Sequence, residues 1–424
     1  MRRARNRQQG QGQRPMQQSP SRLTPGRERC FSPFASRLLR FLLAAIFLFF
    51  SNCSAQDSPV FKIDDNITRF AYSAGGRIAY ATRHVFSVKK IQLQRDDIWI
   101  AETDGRKRRI LFGEKFVRGT GPFSYTLRGL RWSPDGSKLA VELETVEMIN
   151  DHGDTREGVM TLLLDDSGRE ITIPGGDSAI AGASNAAWLA DEASVVYLTE
   201  QPREIVQAPA GASGRALPKA APADPPASKR FEVNRIKPFT EGASAMFQGQ
   251  LFSTVAWSEK LDAGVGIEQG PGGTADLALV RLDLARGTSQ RMGTLEGFTG
   301  GLALSPSGKK VAYWIDNERL EIREIDSPNR MARVRVAAGS LAWSADETRV
   351  LVKRGAALRS GGLVWVSLPQ LMTVAAGSSP VTTEVAPRSI LHELEFRQFG
   401  ISPDGRFLGV VEPGARNLLV YPVL

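Results

Sequence analysis

Three histidines stand in the chain, His84, His152 and His392, with two cysteines, Cys30 and Cys53. Zinc sites need Cys and His at close, regular spacing, and a hydrolytic triad needs a histidine beside an activated nucleophile. The three histidines lie far apart, and none belongs to an i, i+4 pair or a Cys/His cluster. His152 sits in Asn150-Asp151-His152-Gly153-Asp154, where oxygen ligands could meet calcium or a polar substrate. The spacing is not that of a calcium loop, so the stretch reads as a solvated hairpin tip. Asp135 and Asp404 stand in two Ser-Pro-Asp-Gly stretches, 133–136 and 402–405, and are tempting as acids or bases. A recurring Asp in a turn is explained by the turn, where it bonds back to its own backbone while Gly accepts positive φ. No Gly-x-Ser-x-Gly elbow, phosphate loop or dinucleotide fingerprint occurs. The expected catalytic, metal-binding and cofactor-binding residues are therefore none.

Charge is equally uninformative once it is located. The chain of 424 residues carries a net charge of +9, but residues 1–55 hold ten Arg and one acid, Glu28. The rest has 44 basic and 44 acidic side chains, which gives no electrostatic case for nucleic acid. The Arg106-Lys107-Arg108-Arg109 run could meet an anionic partner, yet a charged outer strand also protects a sheet edge, and that reading is preferred.

Residues 1–55 read as a signal peptide with a long basic n-region. Arg37 and Arg40 precede the apolar run 41–50, and small residues follow up to Ala55, the expected cleavage point. The run is shorter than the ~20 residues a membrane span needs. Lipidation at Cys53 is the alternative, although Phe50-Ser51-Asn52 is a poor lead-in for it. Cleavage near Ala55 leaves no cysteine, as suits an exported, periplasmic or extracellular protein with a sizeable core of its own. An uncleaved signal makes it membrane-anchored instead.

The elements that position everything else are repeats. Leu130-Arg131-Trp132-Ser133-Pro134-Asp135-Gly136-Ser137-Lys138-Leu139-Ala140-Val141 predicts a strand, a tight turn and a strand. Variants recur with Ser73, Leu189, Ser258, Ser305, Ser344 and Ser402 at the serine position, and four of them share Trp132, Trp188, Trp257 and Trp343. Such regularity marks packing between repeats, not an aromatic cage. Polar-ended strands follow most anchors, as at 98–105 and 162–168, and a fourth strand follows those. The pattern predicts an all-β chain, one β-propeller of four-stranded antiparallel blades over 56–424, with seven blades favoured and six if the degenerate Ser73 unit is not a blade. The last blade lacks a fourth strand, which 60–63 would supply. The segment 205–230, rich in Pro and Ala, reads as a flexible insertion within the propeller.

Trp-Ser-Pro-Asp-Gly followed by Lys-Leu-Ala-Val resembles the repeat of TolB-type β-propellers, and of the propeller domains of dipeptidyl-peptidase-like proteins. The resemblance covers most of 58–424. It implies a propeller without the hydrolase domain, because the chain ends inside its last blade. The expected function is non-enzymatic binding of a protein, peptide or cell-envelope component through one face. A hydrolase or lyase with its site in the central channel, or an accessory partner of a separate peptidase, are the alternatives. Function should lie in the positions that differ between repeats.

Overall fold

Period-two apolar runs broken by turn residues fold as consecutive antiparallel hairpins. The computed structural model describes residues 59–88, 91–111, 123–148, 154–201, 229–258, 262–270, 277–336, 338–353, 362–368, 372–373, 382–383, 388–392, 398–414 and 416–423. All of them belong to one of two units, Gln56–Leu424; the other is Met1–Ala55. The leader, Cys53, His152, and all but the last two residues of the 205–230 segment lie outside the described residues.

The described residues form seven four-stranded blades and contain no helix. Blade 7 takes its outer strand from the start of the chain, β1 (Phe61–Ile63). Blade 1 is β2 (Ile67–Tyr72), β3 (Ile78–Val88), β4 (Ile91–Ala101) and β5 (Lys107–Leu111). Blade 2 is β6 (Phe123–Trp132), β7 (Lys138–Met148), β8 (Thr155–Asp165) and β9 (Ala179–Ala181). Blade 3 is β10 (Ala183–Trp188), β11 (Val195–Glu200), β12 (Phe231–Lys237) and β13 (Glu241–Ala245). Blade 4 is β14 (Phe252–Ser258), β15 (Ala263–Gln269), β16 (Leu277–Asp283) and β17 (Thr288–Leu295). Blade 5 is β18 (Gly300–Leu304), β19 (Lys310–Trp314), β20 (Arg319–Glu324) and β21 (Arg330–Arg335). Blade 6 is β22 (Leu341–Trp343), β23 (Arg349–Lys353), β24 (Gly362–Ser367) and, after β25 (Met372–Thr373) and β26 (Thr382–Thr383) have crossed to the edge of β21, β27 (Arg388–His392). Blade 7 is β28 (Gln398–Ile401), β29 (Phe407–Val411) and β30 (Leu418–Pro422), closed by β1. The degenerate Ser73 unit is a full blade. The closing strand is the expected one, with Phe61 opposite Val420 and Ile63 opposite Leu418.

Sheet faces bury their apolar rows against the next blade. Ile98 and Ile100 of blade 1 meet Leu139, Val141 and Leu162 of blade 2, all with no exposed surface. Each such side chain contributes roughly 1.5–3 kcal/mol on burial. The anchor tryptophans tie blades together as their recurrence implied. Trp132 Nε1 donates to Ala71 O (3.1 Å), Trp257 Nε1 to Asn185 O (2.7 Å) and Trp343 Nε1 to Ala303 O (3.2 Å), each on the first strand of the preceding blade. Trp188 is buried, but its Nε1 meets no acceptor among the described residues.

The turn aspartates do what turn residues do. Ser133 Oγ donates to Asp135 Oδ1 (2.5 Å) and accepts from the Lys138 N–H (3.0 Å), while Asp135 accepts from the Ser137 N–H (2.8 Å). The same triangle recurs at Ser344, Asp346 and Thr348 and at Ser402, Asp404 and Arg406. Bonds from the Ser344 hydroxyl and the Thr348 N–H push Asp346 down to about 2. At Asp135 and Asp404 burial works the other way, but the hydroxyl and amide donors outweigh it and hold both carboxyls low.

Gly136, Gly308 and Gly405 occupy the left-handed position of their turns, at φ 74°, 70° and 73°. In blades 3 and 6 that position is held by Glu192 (φ 54°) and Glu347 (φ 57°). Both carboxylates reach back to the turn of the preceding blade. Glu192 Oε1 accepts from the Asp135 N–H (2.8 Å); Glu347 accepts from the Ser307 N–H and from Ser307 Oγ (2.8 Å). Asp262 of blade 4 does the same to the Ala190 N–H (2.8 Å).

Candidate functional site

The turns between first and second strands fix one face of the ring. The opposite face carries the hairpins between second and third strands, and there the blades differ. In blades 1 and 2 these strands run eleven residues each, β3 with β4 and β7 with β8. The second strands of the other blades have five to seven. Four to six extra residues at ~3.3 Å each raise a wall about 13–20 Å high beside the channel mouth.

The two long hairpins form one sheet, because β4 pairs in parallel with β6 at Arg95 and Tyr125. A buried ionic network locks that seam. Asp96 has no exposed surface and Asp97 has 1%. Neighbouring strand residues point to opposite faces, so each carboxylate needs its own partners. Asp96 receives Arg83 Nε (2.8 Å), Arg83 Nη2 (3.0 Å) and the Leu127 N–H (2.7 Å). Asp97 receives Arg109 Nη1 (2.7 Å) and lies 3.1 Å from His84 Nε2. The hydrogen bond to Asp96 lifts Arg83 above the ordinary guanidinium range. Arg95 Nε donates to Phe123 O (3.0 Å), and the Gln94 N–H to Ser124 Oγ (2.8 Å). The Arg95-Asp96-Asp97 run carries the signal; two adjacent acids inside an apolar strand must find cations on both faces.

Below the wall, the channel is lined by the first strands. Aligning them on the anchor position reveals a belt three residues earlier, namely Arg69, Gly129, Asn185, Thr254, Gly301, Ser340 and Gln398. All seven are polar or glycine and none is buried, whereas the next residue along is apolar in every blade. Bulges fall at this level in five blades, between Ile67 and Arg69, Leu127 and Gly129, Ser184 and Ala187, Phe252 and Thr254, and Gly300 and Ala303. A bulge re-aims the side chain and blunts the inner edge of a sheet. Two belt amides stitch blades together. Gln398 Nε2 donates to Phe70 O (3.1 Å) and its Oε1 accepts from the Phe70 N–H (3.2 Å), joining blade 7 to blade 1. Asn185 Nδ2 donates to Val255 O (2.7 Å), joining blade 3 to blade 4.

A small open pocket of about 70 Å³ lies at the belt between blades 2 and 3, lined by Gly129, Leu130, Arg131, Ala140, Glu142, Asn185 and Ala186. Glu142 is 14% exposed; its Oε2 accepts from the Asn185 N–H (2.7 Å) and its Oε1 lies 3.5 Å from Arg128 Nε. This surface offers guanidinium, carboxylate, amide and hydroxyl groups for recognition. Among the described residues no group of three or more His, Cys, Asp or Glu could hold a metal ion.

The two described histidines stand in different blades. His84 stands on the wall with Asp97, the backbone of His392 lies in β27, and His152 is outside the described residues. The basic run is committed internally. Arg106 pairs with Asp104, Lys107 with Asp65 (3.1 Å), Arg108 with Asp166 O (2.7 Å) and Arg109 with Asp97.

No family model matches the chain, and no curated protein is similar to it. Among solved structures it is similar to the β-propeller domain of Cps50 (Swd1) from Myceliophteria thermophila, at 11% identity over 87% of this chain and 100% of that one, with a TM-score of 0.50. Hydrazine synthase of Kuenenia stuttgartiensis follows at 11% identity over 86% and 97% of the two chains (TM-score 0.47), and TolB from Acinetobacter baumannii at 16% over 70% and 62% (TM-score 0.38). The first of these likenesses shows a propeller fold and nothing finer.

Proposed function

We propose that the mature chain is an exported, non-enzymatic propeller that binds a protein, peptide or cell-envelope component through the mouth face, in the manner of a TolB-type scaffold. The observation that carries this reading is the wall on blades 1 and 2. Burying two carboxylates costs several kcal/mol per ion before pairing, and here that cost is met at a seam that holds two hairpins rigid above the ring. Preorganised relief beside a polar belt is what a recognition surface needs, since it lowers the ordering cost of binding.

A photo-crosslinking residue at Val85, on the wall, and at Phe239, on the opposite face, tests the reading in cells that make the protein. Both side chains are exposed, at 58% and 64%. A discrete adduct from position 85 and none from 239 is the expected result. Adducts from 239 alone, or turnover of small substrates that is lost on substituting Glu142, would refute it.

A further inference from the structure

We propose that the mouth on its blade 1 and 2 side takes an acidic polypeptide segment in extended form; this names the partner chemistry of the binding reading above. Two observations point to it. The first is cationic. Arg69 is exposed on the belt, and its side chain makes no hydrogen bond or ion pair among the described residues. Arg128, on the neighbouring first strand, is the extra residue of its bulge, with 48% of its side chain exposed. Its nearest acid, Glu142, lies at 3.5 Å and already accepts from the Asn185 N–H. Guanidinium groups recognise carboxylates through paired N–H donors, and a concave, protein-walled mouth strengthens their field.

The second observation is an open strand edge directly above. β2 ends at Ile67, opposite Thr82, while β3 continues to Val88. The Arg83 N–H bonds to Asn66 O (3.4 Å), so the main-chain groups of Arg83 face the β2 side. By strand parity those of Val85 and Ser87 face the same way, and no described strand pairs with them. Residues 83–87 contain no proline, bulge or lysine to blunt the edge, and the side chains of Arg83 and His84 are turned to Asp96 and Asp97. A peptide added here runs in line with β2, towards Arg69. Main-chain pairing then supplies affinity and the two arginines select acidic side chains.

The test is fluorescence anisotropy on the full chain with two labelled ten-residue probes, one alternating Glu and Thr and one alternating Lys and Thr. The acidic probe should bind, and the basic probe should not. Arg69→Ala with Arg128→Ala should weaken binding at least about tenfold, the scale of one lost charged contact. Val85→Pro, which removes an edge N–H, should weaken it similarly, while Val85→Thr, which keeps that N–H, should not. Thermal melting of each variant shows that it is folded. Equal binding of both probes, or full binding by a folded double arginine variant, overturns the proposal. So does full binding by Val85→Pro, which would mark a site for small anions without strand addition. Cross-links from position 85 without probe binding would keep the binding reading and remove this one.

Discussion

Replacing Glu347 by glycine is the sharpest test of how adjacent blades are clasped. Glu347 sits at φ 57°, a conformation that costs an ordinary residue roughly 1–2 kcal/mol and glycine almost nothing. On local grounds Glu347→Gly should stabilise the protein. The structure argues the reverse. The carboxylate accepts from the Ser307 N–H and, at 2.8 Å, from Ser307 Oγ, and hydrogen bonds to a charged group contribute about 1.5–3 kcal/mol each. Losing both removes about 3–4 kcal/mol after allowance for solvent. Glycine also loosens the unfolded chain by about 0.5–1 kcal/mol. Relief of strain offsets only part of this, leaving Glu347→Gly about 2 kcal/mol less stable. Glu347→Ala keeps the strain and loses the bonds, at about 3–4 kcal/mol, whereas Glu347→Gln keeps an acceptor and loses about 1 kcal/mol. For a chain of this length the unfolding entropy is roughly 0.8 kcal/mol/K, so the glycine variant should melt about 2–3 °C lower. Calorimetry on the series, with urea midpoints in parallel, reads the order Gln, Gly, Ala. A glycine variant that melts above the parent refutes the clasp.

Four further outcomes follow from the same geometry. Trp132→Phe should cost about 1–2 kcal/mol beyond its lost area, because Ala71 O loses its donor, while Trp188→Phe forfeits no such bond; paired urea midpoints separate the two. Asp96→Ala leaves Arg83 without its counter-ion and the Leu127 N–H without an acceptor, and should cost about 3–5 kcal/mol, against about 0–1 kcal/mol for Glu241→Ala, which breaks an exposed surface pair with Lys237. Asp346 is depressed to about 2, so the stability it adds is complete above about pH 4 and is lost as the pH falls towards 2. Asp346→Asn should therefore lower the melting point at pH 7, with the gap closing near pH 2. Gln398→Ala should speed amide exchange at Phe70, whose N–H it accepts; unchanged protection would remove Gln398 from the ring closure.

What was legible in the sequence was what local chemistry writes. Trp132, Ser133 and Asp135 repeat because every blade needs the same turn and the same seam, and the missing last strand pointed to 60–63 because a ring cannot leave an edge open. The belt was legible in principle, since Arg69, Asn185 and Gln398 need only alignment on the anchors. The bulges that turn those residues towards the channel were not, because an extra residue shows only against its partner strand. Glu192 and Glu347 stand where other blades have glycine, and the reason lies in a contact with the previous blade, 57 and 40 residues back, that no local pattern shows. Asp96 and Asp97 are not singled out by the sequence reading, because their partners come from β3, β5 and β6. The cations from Arg106 to Arg109 do lie at the outer strand of blade 1, and the structure adds what the sequence could not show, their pairing with Asp104, Asp65, Asp166 and Asp97.

The closure of the ring also sets how the molecule answers to tension. β1 runs antiparallel to β30, and the Val60 N–H already bonds to Val420 O at 2.8 Å. The two ends of the described chain therefore leave side by side from the same end of one strand pair. A pull between them opens that pair like a zip, one rung at a time, instead of shearing all rungs together. With only three paired residues in the seam, the ring has a built-in weak link under load, and detaching β1 would leave the other six blades with their own four strands.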